Sequence, residues 1–419
     1  MPDPDSSTPS DKSRKGTGIA GFTTALILTL ALQSAVPPFA TDMYTPAFPR
    51  VSESLHTQAS LVGLTLTAFF LGNGLGQLLG GPVSDQRGRR LPMIVGGLIC
   101  TIGGIGCALA PSIGVLIAAR VVQGLGGGVA SVVGRAVLVD LARGDALAKM
   151  MSIMMALGGL APMIAPVFGG AVLTLGGTWR TVFWCLVGIG LLMMITAIAF
   201  VPESLPADKR QPGGLRPFVA GIAVVLRIRL FVVYLLVNLF SGFGMFAYIA
   251  NSSYVLQVQK GMQPMTFAVF FAVTASGQVL MSLVNARLVG RFRPNALIGF
   301  GMSLSVASVL ALSVGVFFFG TPLVLTCIGF MVLMAAQAFV FGNSAAIAAS
   351  QATHVAGAAS ALLGLAMAVA GALSAPLATA GGGSTAVPMV IVMMVGIGGS
   401  VICLVLGRRG ELPGAVVRP

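Results

Sequence analysis

Long apolar runs, each closed by a short polar or charged break, dominate the sequence. Twelve runs are long enough to matter, at about 19–41, 60–81, 91–110, 113–138, 148–174, 180–201, 230–250, 264–285, 295–318, 321–345, 353–378 and 386–407. A helix crosses the hydrocarbon of a bilayer with about 20 residues. The pattern therefore predicts an all-α integral membrane protein with twelve transmembrane helices. The thinnest breaks lie at 110–113, where only Pro111 and Ser112 mark a turn, and at 174–180. Between the runs there is no polar stretch long enough for a soluble domain. What remains is a tail over 1–18, a linker over 202–229 and a tail over 408–419. They delimit two six-helix bundles, 19–201 and 230–407.

Composition supports this reading. Charged residues make up 8% of the 419, against about 25% in soluble proteins, so a water-facing surface could not be covered. The start, Ser10 to Lys15 followed by apolar residues from Ile19, imitates a secretory signal. Its apolar run exceeds the usual 7–15 residues of such a signal, and it reads as a retained first span. The five cysteines (Cys100, Cys107, Cys185, Cys327, Cys403) lie in apolar runs and form no C-x-x-C pair, and His56 and His354 are isolated. Neither a disulfide framework nor a metal site is expected, nor any cofactor.

The net charge of +13 would suggest nucleic acid in a soluble protein. Its placement says otherwise. If the N-terminus is cytoplasmic, 20 of the 24 basic residues fall on the cytoplasmic side; only Arg50, Arg180 and Lys260 fall outside, and Arg120 lies within a span. The positive-inside rule then predicts that both termini are cytoplasmic and removes nucleic acid as a partner. The expected surroundings are a lipid bilayer, the expected location a cell (cytoplasmic) membrane.

The linker PESLPADKRQPGGLRP (202–217) divides the spans six and six. An offset of 204 residues brings Arg87 onto Arg291 and Arg89 onto Arg293. GGLAPMIAPVFGG (158–170) and VAGALSAPLATAG (369–381) also match loosely. Paired repeats are a transporter signature, with the substrate site between the repeats.

Four stretches carry chemistry. In GPVSDQRGRR (81–90), Gly81, Pro82 and Gly88 suit a tight turn. A loop that served only to be basic would need neither those glycines nor Asp85. Asp85 with Arg87, Arg89 or Arg90, and Asp140 as a second anion, reads as a charged gate on the cytoplasmic face. In RVVQGLGGG (120–128), Arg120 needs a partner or a wet cavity, and Gly124, Gly126, Gly127 and Gly128 admit a close neighbour. The bland alternative for Arg120 is capping by backbone carbonyls. ALGGLAPMIAPVFGG (156–170), with Pro162 and Pro166, predicts a kinked helix with a small-residue face. In TDMYTPAFP (41–49), Asp42 ends an uncharged run, with Pro37, Pro38 and Pro46 reading as the turn that holds it. It either carries a proton or caps that turn.

These stretches also resemble a known family. GPVSDQRGRR resembles the G-x-x-x-D-R-x-G-R-R signature of the major facilitator superfamily, with Gln86 where an Arg is usual. RVVQG resembles the R-x-x-Q-G motif of its proton-coupled exporters, which implies a part in proton transfer for Arg120. The fifth run resembles G-x-x-x-G-P-x-x-G-G, a mark of antiporters, at Ala161, Ala165, Pro166, Gly169 and Gly170. TDMYTPAFP closely resembles T-D-M-Y-L-P-A-L-P of the bicyclomycin/chloramphenicol-resistance branch of drug:proton antiporters, with Thr45 and Phe48 for the two leucines. A second carboxylate found in some relatives is Ser34 here. TWRTVFW (178–184) and SGFGMFAYIANSSYVLQ (241–257) fit the same branch.

The resemblance implies a cavity lined by spans one, four, seven and ten. Candidates there are Gln33, Tyr44, Gln123, Asn238, Phe243, Phe246, Asn251, Gln337 and Asn343; Tyr248 and Tyr254 lie on the same stretch. Aromatic and amide groups suit bulky, weakly polar compounds. The function expected is proton-coupled export of a small-molecule drug by a monomer, with Asp42 taking the proton, Arg120 tuning it as an intramembrane counter-charge, and chloramphenicol-like or bicyclomycin-like compounds as examples. The alternative is a proton-coupled importer or exporter of a metabolite or sugar. A membrane enzyme would need a catalytic cluster, and a channel would need neither the carboxylate nor the gate.

Overall fold

Hydrocarbon offers no hydrogen bonds, so each backbone N–H and C=O must be satisfied within the protein. Apolar runs of this length therefore become helices. The computed structural model describes residues 24–142, 144–210, 215–352, 356–381 and 383–408. The expected tails apart from Arg408, residues 19–23 of the first run, Arg143 and His354 lie outside the described residues. Twelve helices among those described are long and apolar enough to cross a membrane.

The first span is helix α1 (Thr24–Asp42), a 3-10 turn (Thr45–Ala47) and the short helix α2 (Phe48–Ser54). There follow α3 (Ala59–Arg87), α4 (Arg90–Ala108), α5 (Ile113–Leu141), α6 (Gly144–Thr174) and α7 (Trp179–Phe200). Next come α8 (Leu215–Leu226), α9 (Arg229–Ser253), α10 (Pro264–Leu288), α11 (Pro294–Phe318), α12 (Leu323–Ser350), α13 (Ala356–Ala378) and α14 (Val387–Arg408).

Three details differ from the sequence pattern. Pro37 and Pro38 lie inside α1, and only Pro46 belongs to the turn after Asp42. The linker is not loop throughout, because its apolar stretch after Pro217 joins α8. The seventh span does not stop at 250: α9 runs on into a π-helical turn over Tyr254–Gln259.

Contacts sort the spans into two sets of six. In the first half α3 packs on α5, α4 on α5 and α7, and α1 on α5, α6 and α7. In the second, α10 packs on α12, α11 on α12 and α14, and α9 on α12, α13 and α14. Shifted by six spans, the two lists coincide, which is the structural form of the weak sequence repeat. The halves meet along α3–α13 and α6–α10, again equivalent pairs. Large apolar side chains such as Leu28, Ile102, Phe168, Leu280 and Val324 face outward. Polar residues such as Thr65, Arg120, Gln123, Asn238 and Ser344 are buried.

Lipid tails are as apolar as leucine, so helices here associate through packing and hydrogen bonds. Glycine sets that packing between α3 and α5. A Cβ at Gly72 would strike the Val121 carbonyl, and at Gly76 the Leu125 carbonyl. In return, a Cβ at Gly124 would strike the Phe69 carbonyl, and at Gly128 the Asn73 carbonyl. The two backbones touch, and neither can retreat. Gly126 faces α4 at Gly96 and Cys100, and Gly127 faces Val36 of α1, so neighbouring glycines of one turn serve three different helices.

Gly124→Val should therefore force α3 and α5 apart. Overpacking of this kind costs about 1–3 kcal/mol. The expected outcome is a lower unfolding midpoint by tryptophan fluorescence in detergent, where Trp179 and Trp184 report. An unchanged midpoint would contradict the backbone contact.

Candidate functional site

The end of the bundle that holds most arginines is here called the basic end. There α3 stops at Gly88, whose φ of +88° lies in the region that suits glycine. Any side chain at Gly88 would also collide with the Glu203 carboxylate. The turn points Arg89 inward, so that it is 8% exposed. Its guanidinium donates to Asp140 of α5 at 2.8 Å, to the Ser84 hydroxyl at 2.7 Å and to Asp85. Burial works against the Arg89 charge, but the Asp140 hydrogen bond and charge, with Asp85, outweigh it and hold its pKa above the usual arginine value.

Glu203 and Ser204, which motif reasoning missed, complete this knot from the linker. The Glu203 carboxylate accepts from the backbone N–H of Arg89 (2.7 Å) and of Arg90 (3.3 Å). It thereby caps the start of α4, where negative charge is favoured. Ser204 donates to Asp140 at 3.0 Å. The knot ties α3, α4, α5 and the start of the linker together, all within the first half. Arg90 turns away to the Ile198 carbonyl at 2.7 Å. Arg87 takes no part in the knot, with no hydrogen bond or ion pair among the described residues, and Gly81 enters it only through its carbonyl, which accepts from the Ser84 hydroxyl at 2.8 Å. Their only signal was a place in the motif.

At the opposite end, hydrogen bonds join the two halves. Ser52 and the Tyr254 hydroxyl are 2.7 Å apart. Gln257 donates to the Pro46 carbonyl at 3.1 Å, and Thr67 to the Ala372 carbonyl at 2.6 Å. Phe70 and Phe246 meet with ring centroids 4.8 Å apart. The wide π turn sets Tyr254 and Gln257 against the segment after Asp42. Such turns are frequent at functional sites.

Within the first half, the glycine contacts bring Arg120 to the end of α1. The last carbonyls of a helix lack intrahelical partners. Arg120 is fully buried and donates to one of them, the Ala40 oxygen, at 3.1 Å. It also donates to the Thr65 oxygen (3.3 Å) and to Gln123 Oε1 (2.7 Å). Its guanidinium carbon lies 4.4 Å from the Phe69 ring centre, 5.2 Å from that of Tyr44 and 5.8 Å from that of Phe183, within range of cation–π attraction. Arg120, expected as a counter-charge to Asp42, makes no ion pair with it. Arg120 has the geometry of a cap, with carbonyls, an amide and three rings standing in for a carboxylate.

Asp42 is the last residue of α1 and is 7% exposed. Its carboxylate accepts from its neighbour Thr41 at 3.0 Å and has no cation partner among the described residues. The residues that follow it are fixed by α6. A Cβ at Gly169 would strike the Met43 carbonyl, while one at Gly170 would strike Ala268 of α10. This Gly-Gly pair thus touches the end of α1 on one side and the second half on the other. Pro162 and Pro166 lie within the helix, and Ala165 is buried beside them.

The remaining cavity candidates divide. Gln33 donates to the Met193 carbonyl of α7 at 3.1 Å, and Gln123 serves Arg120. Asn238 donates to Ser344 at 2.7 Å and Asn343 to Asn285 at 2.8 Å. Gln337 reaches Ser305 at 3.4 Å. These amides join helices of one half. Tyr44 is buried against Phe48 and Phe183. Phe243 and Phe246 are half-buried, and Asn251 is buried with both polar atoms unpaired.

Twelve spans in two equivalent halves, a charged knot at one end and a seal at the other define a membrane transporter fold. The model of the Major Facilitator Superfamily matches residues 19–375, and the chain belongs to that family. It is 33% identical over 372 residues to an uncharacterized MFS-type transporter, YdgK, of Bacillus subtilis, covering 88% of this chain and 92% of that one. It is 28% identical over 377 residues to a bicyclomycin resistance protein homolog of Haemophilus influenzae, with the same shares. Multidrug resistance protein MdtL of Klebsiella pneumoniae is 27% identical, over 78% of this chain and 81% of its own. Among solved structures, a D-xylose-proton symporter superposes with a TM-score of 0.71 at 16% identity, covering 90% of this chain and 96% of that one. That likeness concerns the fold.

Arg120→Lys keeps the charge but loses the fork that reaches Ala40, Thr65 and Gln123 together. A hydrogen bond to a charged group contributes about 1.5–3 kcal/mol. The variant should unfold several degrees lower than the parent in detergent. An identical midpoint would remove the capping role.

Proposed function

We propose that this protein is a proton-driven exporter of small amphipathic compounds in the cytoplasmic membrane, working as a monomer with both termini in the cytoplasm. The observation that carries the reading is Asp42: a buried carboxylate at the end of α1 with no cation partner among the described residues. A negative charge there is costly unless a proton, a cation or water neutralises it.

The cycle follows from where the bonds lie. The basic end is the cytoplasmic face. With the opposite ends joined by Ser52–Tyr254 and Gln257–Pro46, substrate enters from the cytoplasm between the halves. Breaking those bonds opens the external side and brings Asp42 into reach of an external proton. Uptake of that proton removes the charge and favours release of the substrate outward. Gly169 and Gly170 link the two events, because α6 touches both the Asp42 turn and α10. Arg120 acts by holding the end of α1 in place. The knot around Arg89 keeps the first half rigid as it rocks.

The relatives named for bicyclomycin and multidrug resistance support export of drugs. So does the side-chain chemistry. Of the amides expected in the cavity, Asn238 and Asn343 bond within the second half. The aromatic Phe246 meets Phe70 at the boundary, a surface suited to weakly polar compounds.

Asp42→Asn preserves shape and removes the charge. In inverted vesicles its gradient-driven drug transport should fall to background, at least tenfold, while energy-independent exchange of drug across the membrane persists. Gradient-driven transport at the parent level would overturn the role of Asp42. Expression in a host lacking its own pumps should lower accumulation of toxic compounds; raised uptake would instead identify an importer.

A further inference from the structure

Arg87 is the arginine of the signature loop that the knot does not use. It ends the stripe Leu79–Val83–Arg87 on α3, whose members are spaced to share one helix face. Facing it on α4 is the stripe Leu91–Val95–Ile99. Between them lies a groove of about 150 Å3, apolar along its length, with Arg87 at the basic end. Gly80 lies in its wall and packs against Val129 and Val132 of α5, and Val129 closes the groove from behind. The nearby acids are already engaged: Asp85 and Asp140 hold Arg89, and Glu203 caps α4.

We infer that this groove binds an anionic phospholipid, with one acyl chain laid between α3 and α4 and the phosphate at Arg87. The polarity matches a lipid's own. The charge sits where helices α3 and α4 end, at the level of head groups, and the apolar part runs toward the middle of the bilayer. From Leu91 to Ile99 the groove extends about 12 Å along the helix, enough for the upper part of an acyl chain. Basic pockets between transmembrane helices are suited to anionic head groups. The neighbouring Arg90, bonded to the Ile198 carbonyl, adds positive charge at the same rim. A bound lipid would also touch both helices that the Gly88 turn joins, next to the knot.

The test is native mass spectrometry of the purified, delipidated protein titrated with dioleoyl phosphatidylglycerol or dioleoyl phosphatidylcholine. The parent should retain the anionic lipid in preference to the neutral one. Arg87→Gln should weaken retention of phosphatidylglycerol about five-fold, the usual effect of one basic residue near an anionic surface, and leave phosphatidylcholine unchanged. Val95→Trp, which fills the groove and keeps every arginine, should lower retention of phosphatidylglycerol as well. Soluble glycerol 3-phosphate should not compete, because it has no chain for the groove. Each variant counts only if it elutes as a single species with the parent's unfolding midpoint; if Val95→Trp fails this, Leu91→Trp at the mouth replaces it. Parent-level retention by Arg87→Gln, or by both groove-filling variants, would overturn the inference. Since the readout is lipid retention, it stands or falls apart from drug export.

Discussion

A guanidinium sealed inside an apolar bundle is the constraint around which the first half is built. Arg120 cannot reach water, and no carboxylate meets it. Two backbone carbonyls, one amide and three aromatic rings surround its charge instead, while Nη2 has no hydrogen-bond partner among the described residues. Each partner must be close, and closeness requires the glycines of α3 and α5, whose backbones touch. Removing bulk at Gly72, Gly76, Gly124 and Gly128 is thus what lets a charge at 120 be buried at all. The same arrangement fixes the end of α1, and so the place of Asp42 two residues beyond the carbonyl that Arg120 holds.

The two ends of the molecule are fastened in different ways. At the basic end the fastening lies within one half: Arg89, Asp85 and Asp140 lock α3 and α5, and Glu203 carries the linker into the same knot. At the opposite end the fastening runs between the halves, through hydroxyls, amides and backbone carbonyls. Charge-assisted bonds are the stronger kind, and they are used where a unit must stay whole. Neutral bonds are used where two units must part. A bundle of this design rocks as rigid halves about a central site.

The repeat joins these observations. The main contacts between spans in one half have their counterparts six spans later, although the sequences of the halves match only in short stretches. Glycine and small residues recur at the crossing points, as at Gly244 against Gly396 in the second half. The chemistry is not repeated. The buried cation, the buried carboxylate and the knot belong to the first half, while the second contributes Tyr254, Gln257 and Phe246 at the boundary.

The sequence by itself determined the twelve helices, their division six and six and the chemical outliers Asp42, Arg120 and Arg89. The reason is that hydrocarbon leaves few options: apolar runs must be helical, and a charge among them stands out. The partners of those charges were decided only by the tertiary structure. Arg120 looked like a counter-charge to Asp42 because both are rare charges in apolar spans. Yet pairing depends on which face of each helix meets which neighbour, and that is set by glycine contacts far from either residue. Glu203 gave no motif signal, since a lone acid in a polar linker is ordinary until the loop at Gly88 folds over it. The amides looked like a cavity lining because buried polar groups mark sites, but most of them hold helices together. Arg87 and Arg89, two residues apart in one motif, were separated into groove and knot by the turn at Gly88.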